Sequence, residues 1–131
     1  MIKILVVDDE KGVCDFVGGF FKKFGHPVLK VTDPFEAAAV VEKERPQIIL
    51  LDLKMPKMDG FEVLKQIRQI DKQAKVIMVT VSDDAETRQK AQELGADAFV
   101  KKPFSIRAMF ALPPRISKDP LDPTVFVNIR T

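Results

Sequence analysis

The chain has little cysteine and little histidine, one of each in 131 residues, and both scarcities exclude chemistry. A single thiol, Cys14, permits no internal disulfide and leaves the redox compartment unconstrained. Flanked by Val13, Phe16 and Val17, it is expected to be a reduced, buried thiol. The lone histidine, His26, sits in a turn before Pro27 and reads as structural rather than as a phosphotransfer residue. No apolar run approaches the ~18 residues that span a bilayer. Met1 to Lys3 lead straight into a strand pattern rather than a signal peptide, so residence in the cytoplasm is the default expectation. A net charge of +2 is too small to argue for nucleic acid. The 46% apolar and 31% charged content is that of an ordinary globular chain, long enough for one domain with a sizeable core.

What is present is more pointed. Two apolar runs end in acids. Ile4, Leu5, Val6 and Val7 run into Asp8 and Asp9, and Ile48, Ile49, Leu50 and Leu51 run into Asp52. An all-apolar run of about four residues reads as a strand covered on both faces, which implies a parallel sheet. Acids at the ends of two such strands meet at one sheet edge. Like charges there raise one another's pKa unless a cation binds. Oxygen-only ligands favour a hard cation, above all Mg²⁺.

Strand and helix signals alternate along the chain. Strand patterns cover Ile2 to Val7, Val28 to Thr32, Gln47 to Asp52, Lys75 to Thr80 and Ala98 to Val100. Between them, helical spacing places Val13, Phe16, Val17, Phe20, Phe21 and Phe24 on a first helix from about Glu10, with a phenylalanine-rich face expected in the core. Gly18 and Gly19 interrupt that helix, and close packing on the sheet is the simplest reason. Asp33 with Pro34 opens a second helix that Pro46 stops. Phe61, Val63, Leu64 and Ile67 mark a third, and Asp83 with Glu86 forms a capping box for a fourth that ends at Gly95. Ser105 opens a fifth, through Ala111. Such alternation gives right-handed βαβ units and an open sheet with helices on both faces. Ligands then bind beyond the carboxyl ends of the strands, where the strand order reverses.

Two more residues belong to that edge. Thr80 ends the fourth strand pattern and Lys102 follows the fifth. A hydroxyl, an ammonium and three acids suit a phosphoryl group, with one carboxylate able to attack phosphorus. The ordered set Asp8-Asp9, Asp52, Thr80 and Lys102-Pro103 resembles the receiver domain of bacterial two-component response regulators, the CheY-like family. Met55-Pro56, Asp59-Gly60, Gly95-Ala96-Asp97 and Phe104 strengthen the likeness, which runs from about Ile2 to Met109.

The resemblance implies a flavodoxin-like (βα)5 α/β sandwich with a parallel sheet of order 2-1-3-4-5. It implies that Asp52 accepts a phosphoryl group from a sensor histidine kinase or a histidine phosphotransfer protein and passes the signal to a downstream protein target. It further implies Mg²⁺ held by Asp9, Asp52 and the Lys54 backbone carbonyl, with Asp8 on metal-bound water. Thr80 and Lys102 then contact phosphoryl oxygens, Phe99 takes the aromatic switch position beside Thr80, and the bond before Pro103 is cis. No external substrate, nucleic-acid contact or membrane insertion is implied. Two alternatives stay open, a receiver-like binding module that is never phosphorylated and a Mg²⁺-dependent phosphatase or phosphotransferase. The latter commonly carries a second acid two residues after the nucleophile, where this chain has Lys54.

The chain departs from the family pattern in two places. Val81 replaces the small residue usual after the hydroxyl and is expected to slow exchange of phosphate at Asp52. The fifth helix is cut short by Pro113-Pro114. The domain is therefore expected to span 1–112, followed by a proline-rich tail over 113–131. Thr124 to Ile129 is β-prone, so the tail is expected to pack on its own domain or on a neighbour in a homodimer, as an added edge strand, or to be a truncation remnant.

Overall fold

The computed structural model describes residues 2–81, 84–102 and, for the backbone, 125–127. Its elements are β1 (Ile4–Val7), α1 (Lys11–Lys23), β2 (Val28–Val31), a 3-10 turn (Pro34–Glu36), α2 (Ala37–Glu44), β3 (Ile48–Asp52), α3 (Gly60–Ile70), β4 (Lys75–Thr80), α4 (Ala85–Glu93), β5 (Ala98–Lys101) and β6 (Val125–Val127). The first five strands are parallel, in the order β2-β1-β3-β4-β5. The order reverses between β1 and β3, so the acids that end these strands share one crevice. β6 runs antiparallel along β5, pairing Phe99 with Phe126. The fifth helix expected from Ser105 and the prolines from Pro113 to Pro123 lie outside the described residues.

Each face of the sheet has its own apolar layer. Leu5, Val7, Ile49, Leu51, Val76, Met78 and Phe99 pack against α2, α3 and α4. Ile4, Val6, Ile48, Leu50, Ile77, Val79, Ala98 and Val100 form the other layer, with Cys14, Val17 and Phe21 of α1. Alternate residues of the same strand serve opposite layers, which is why β1 and β3 read as unbroken apolar runs.

Three local expectations need correction. Phe16 and Phe24 are not core: they are 59% and 55% exposed, and α1 buries Cys14, Val17, Gly18 and Phe21 instead. The spacing was helical, but too many phenylalanines fitted one wide stripe for all to reach the sheet. Gly18 does pack closely, since a Cβ there would lie 2.8 Å from Lys30 Cε, whereas a Cβ on Gly19 would meet nothing within 4 Å. The cap of α4 is Asp84 rather than Asp83: its carboxylate accepts from Thr87 N at 2.8 Å and from Thr87 Oγ1 at 2.9 Å. Asp33 does cap, accepting from Phe35 N, but over a 3-10 turn that precedes α2.

Candidate functional site

The site stands at the carboxyl ends of β1, β3, β4 and β5. Asp8 and Asp52 are 2% and 4% exposed, whereas Asp9 is exposed. One carboxylate oxygen from each lies within 4.8 Å of the others. Lys102 reaches in from the end of β5. Its Nζ donates to Asp8 Oδ2 at 2.8 Å and lies 3.4 Å from Asp52 Oδ1. The Lys102 backbone N–H donates to the Thr80 carbonyl at 2.8 Å, which ties the two strand ends together. Thr80 is fully buried, and Phe99 lies one strand over in the same apolar layer as Met78, 4% exposed.

The electrostatics are unbalanced. Three carboxylates face one ammonium. Burial, and next the charge of Asp8, push Asp52 up to about 6, and Lys102 offsets only part of this. Burial pulls the Lys102 ammonium down, but the Asp8 hydrogen bond and the charges of both acids outweigh it, so its pKa stays above the ordinary value. Asp8 is positioned from several sides. Its Oδ1 accepts from Glu10 N at 2.9 Å, and its carbonyl accepts from Cys14 Sγ at 3.3 Å. Burial, then the Asp8 charge, push the Cys14 thiol up to about 11, so it stays protonated as the sequence suggests.

Oxygen ligands at these spacings, two of them buried and the set short of positive charge, fit a hard divalent cation. The loop after β3 is shaped for close approach. Asp59 caps α3 by accepting from Glu62 N at 3.0 Å. A Cβ on Gly60 would collide with the Asp52 carbonyl oxygen and lie 2.7 Å from Leu53 Cα, so only glycine lets α3 start directly beneath the site. Lys54, two residues past Asp52, is exposed and lines a groove with Met55, Pro56, Phe61 and Thr87. Pro103, expected after a cis bond, lies outside the described residues.

The structure thus gathers Asp8, Asp9, Asp52 and Lys102, with Thr80 and Phe99 on the adjoining strands. Sequence reasoning missed Arg68. At the opposite sheet edge its guanidinium donates to Gly95 O, Asp71 O, Ala74 O and Asp97 Oδ2, at 2.7–3.1 Å. Asp97 Oδ2 also accepts from Val76 N at 3.0 Å. A single arginine near a helix end carries no spacing signal, so only the partner half, Gly95-Ala96-Asp97, was visible as a motif.

This geometry is that of a phosphoacceptor domain, and similarity to known proteins agrees. The response regulator receiver domain family matches residues 4–112. Sporulation initiation phosphotransferase F of Bacillus subtilis (strain 168) is 39% identical over 104 residues, covering 79% of this chain and 84% of that protein. The alkaline phosphatase synthesis transcriptional regulatory protein PhoP of the same organism is 39% identical over 109 residues; the match covers 83% of this chain but only 45% of that regulator. The structure of Vibrio cholerae chemotaxis protein CheY4 superposes with a TM-score of 0.79 at 31% identity, covering 84% of this chain and 93% of that one. The chain belongs to the response regulator receiver domain family. It is a phosphorylation-activated signalling switch of the two-component type. Among the described residues no helix is long and apolar enough to cross a membrane.

Proposed function

We propose that Asp52 is the residue that takes the phosphoryl group. The observation that carries this reading is a carboxylate 4% exposed, within 4.8 Å of two further acids, with a lysine ammonium 3.4 Å away. The donor is a phosphohistidine on a sensor histidine kinase or a histidine phosphotransfer protein. An Asp52 carboxylate oxygen bonds to phosphorus as the P–N bond breaks, and the electron pair stays on the imidazole nitrogen, which then takes a proton. With a pKa of about 6 the group is mostly ionised at pH 7 and more basic than an ordinary aspartate, which favours attack.

Asp9, Asp52 and the Lys54 carbonyl would hold Mg²⁺, with Asp8 on its water. Bound there, it would supply positive charge to the phosphoryl oxygens. Lys102, now shared between Asp8 and Asp52, turns to the phosphoryl oxygens, and the Thr80 hydroxyl donates to them. Phe99 then follows Thr80, and the change reaches a protein-binding face read by a downstream protein target. The protein works in the cytoplasm and acts on no external substrate beyond its own phosphoryl exchange.

The test is transfer of labelled phosphate from acetyl phosphate or a phosphorylated kinase with Mg²⁺. Labelling that hydroxylamine removes, and that Asp52→Asn abolishes, is expected. Label retained by Asp52→Asn would contradict the assignment.

A further inference from the structure

The outer edge of β5 is taken by the chain's own C-terminal strand. β6 pairs antiparallel with β5 in unbroken register: Val127 lies opposite Ala98, Phe126 opposite Phe99 and Val125 opposite Val100. It stands last in the sheet, after the five parallel strands. Val125, Phe126 and Val127 are all residue types that favour strands, so composition and pairing agree. Unpaired, β5 would present a row of free N–H and C=O groups, a template for another extended chain. β6 fills that place.

β5 is also a strand through which the candidate phosphoryl site works. On its other side it pairs with β4, Phe99 opposite Met78 and Lys101 opposite Thr80. Just past its end, the Lys102 N–H donates to the Thr80 carbonyl at 2.8 Å. Lys102 Nζ donates to Asp8 Oδ2 at 2.8 Å and lies 3.4 Å from Asp52 Oδ1. Thr80 and Phe99 are buried. β6 therefore pairs with the strand of Phe99 in the arrangement where Lys102 is engaged with both acids.

We propose that β6 is an autoinhibitory strand: it braces β5 in the arrangement where Lys102 holds Asp8 and Asp52, and phosphorylation of Asp52 loosens it. This rests on the assignment of Asp52 above. A phosphoryl group brings strong acceptor oxygens that draw on Lys102 and on the Thr80 hydroxyl. The end of β5 and its pairing with β4 at Thr80 are then pulled toward the site. So short a strand as β6 has few ladder bonds, and a small shift of β5 removes a large share of its hold. Linkage makes the effect reciprocal. If loading weakens β6, then β6 weakens loading by the same factor. Its release uncovers the β5 edge.

The experiment is residue-resolved amide hydrogen exchange by NMR on the full chain with Mg²⁺, with and without beryllofluoride. Beside it, beryllofluoride is titrated into wild type and into the double variant Val125→Pro, Val127→Pro, which removes two backbone donors of β6. In wild type, protection at residues 125–127 is expected to fall about fivefold or more on loading, the low end of ordinary coupling between sites. The proline variant should half-saturate at a beryllofluoride concentration lower by the same factor. Protection that loading does not lower, or a half-saturation that the prolines do not lower, overturns the proposal. So does protection that fades on dilution, which would give the β5 edge to the strand of a second copy. The wild-type exchange decides by itself if the proline variant does not fold. Amide signals of residues 53 and 102 report loading separately. If they fail to respond in wild type, or still respond in Asp52→Asn, the assignment of Asp52 falls and the inhibitory strand with it. If they respond as expected and residues 125–127 do not, the inhibitory strand alone falls.

Discussion

The two ends of the sheet solve one problem in opposite ways. At each, a partly buried cation holds strand ends through a buried carboxylate. At the amino edge Arg68 meets Asp97 at 2.9 Å, and the two groups also bond the backbone of the α3–β4 loop, β4 and the α4–β5 turn. At the carboxyl edge Lys102 meets Asp8 at 2.8 Å, but Asp52 and Asp9 are left underneutralised beside it. One edge is satisfied. The other is short of positive charge, and that deficit is the capacity to take a metal and a phosphoryl group. The site is not unstable as a whole. Its strands are clamped at the far end, so the imbalance stays local.

Breaking the amino-edge clamp should have the largest effect on stability. Arg68→Met removes the cation beside the buried Asp97 carboxylate and should cost about 3–5 kcal/mol by urea denaturation at pH 7. Lys102→Met should cost about 3 kcal/mol at pH 7, the low end for a broken pair, and less at pH 5, because Asp52 is largely protonated there. Equal costs at both pH values would show that the two edges do not differ as described.

The site also makes a prediction of opposite sign. The folded protein holds the Asp52 proton up to about pH 6, against 3.8 for the ordinary group. The folded state therefore binds more protons between these values, and this contribution to stability falls as pH rises from about 4 to about 6. Above that range the ionised group costs on the order of 3 kcal/mol, so Asp52→Asn should stabilise the metal-free protein by about 1–3 kcal/mol at pH 8 and by little at pH 4. A destabilised Asp52→Asn at pH 8 would mean that Lys102 neutralises the site fully.

The amino-acid sequence carried the site more plainly than the surroundings. Asp8, Asp9, Asp52, Thr80 and Lys102 are legible because strand ends are marked by an abrupt change from apolar to polar, and a parallel sheet aligns those ends. Parallel pairing followed from the alternation, and strand order from the family likeness alone. Helix faces were harder. Six apolar positions on α1 fit helical spacing, yet Phe16 and Phe24 stay exposed, because spacing defines a stripe and not how much of it the sheet can cover. Asp83 and Asp84 are neighbours with equal claims to the cap, and Glu86 tipped the reading toward the wrong one; the three-residue step to Thr87 fits Asp84. Arg68 was invisible because its partners, three backbone carbonyls and the Asp97 carboxylate, are brought together only by folding.

The smallest expected effects concern access. Val81 is 64% exposed next to Thr80. Val81→Ala should leave stability within about 0.5 kcal/mol, as for most surface changes, while raising the rates of phosphorylation by acetyl phosphate and of dephosphorylation. Unchanged rates would remove Val81 as a gate and leave the charge imbalance as the sole control at that edge.

The carboxyl edge lacks positive charge until a cation arrives. Carbon-13 NMR titration of the aspartate carboxyls, with Asp52 assigned by its loss in Asp52→Asn, tests this directly. The expected midpoint for Asp52 is near 6 in metal-free protein, with a marked drop in saturating Mg²⁺. A midpoint at or below 4 that Mg²⁺ does not move would contradict it.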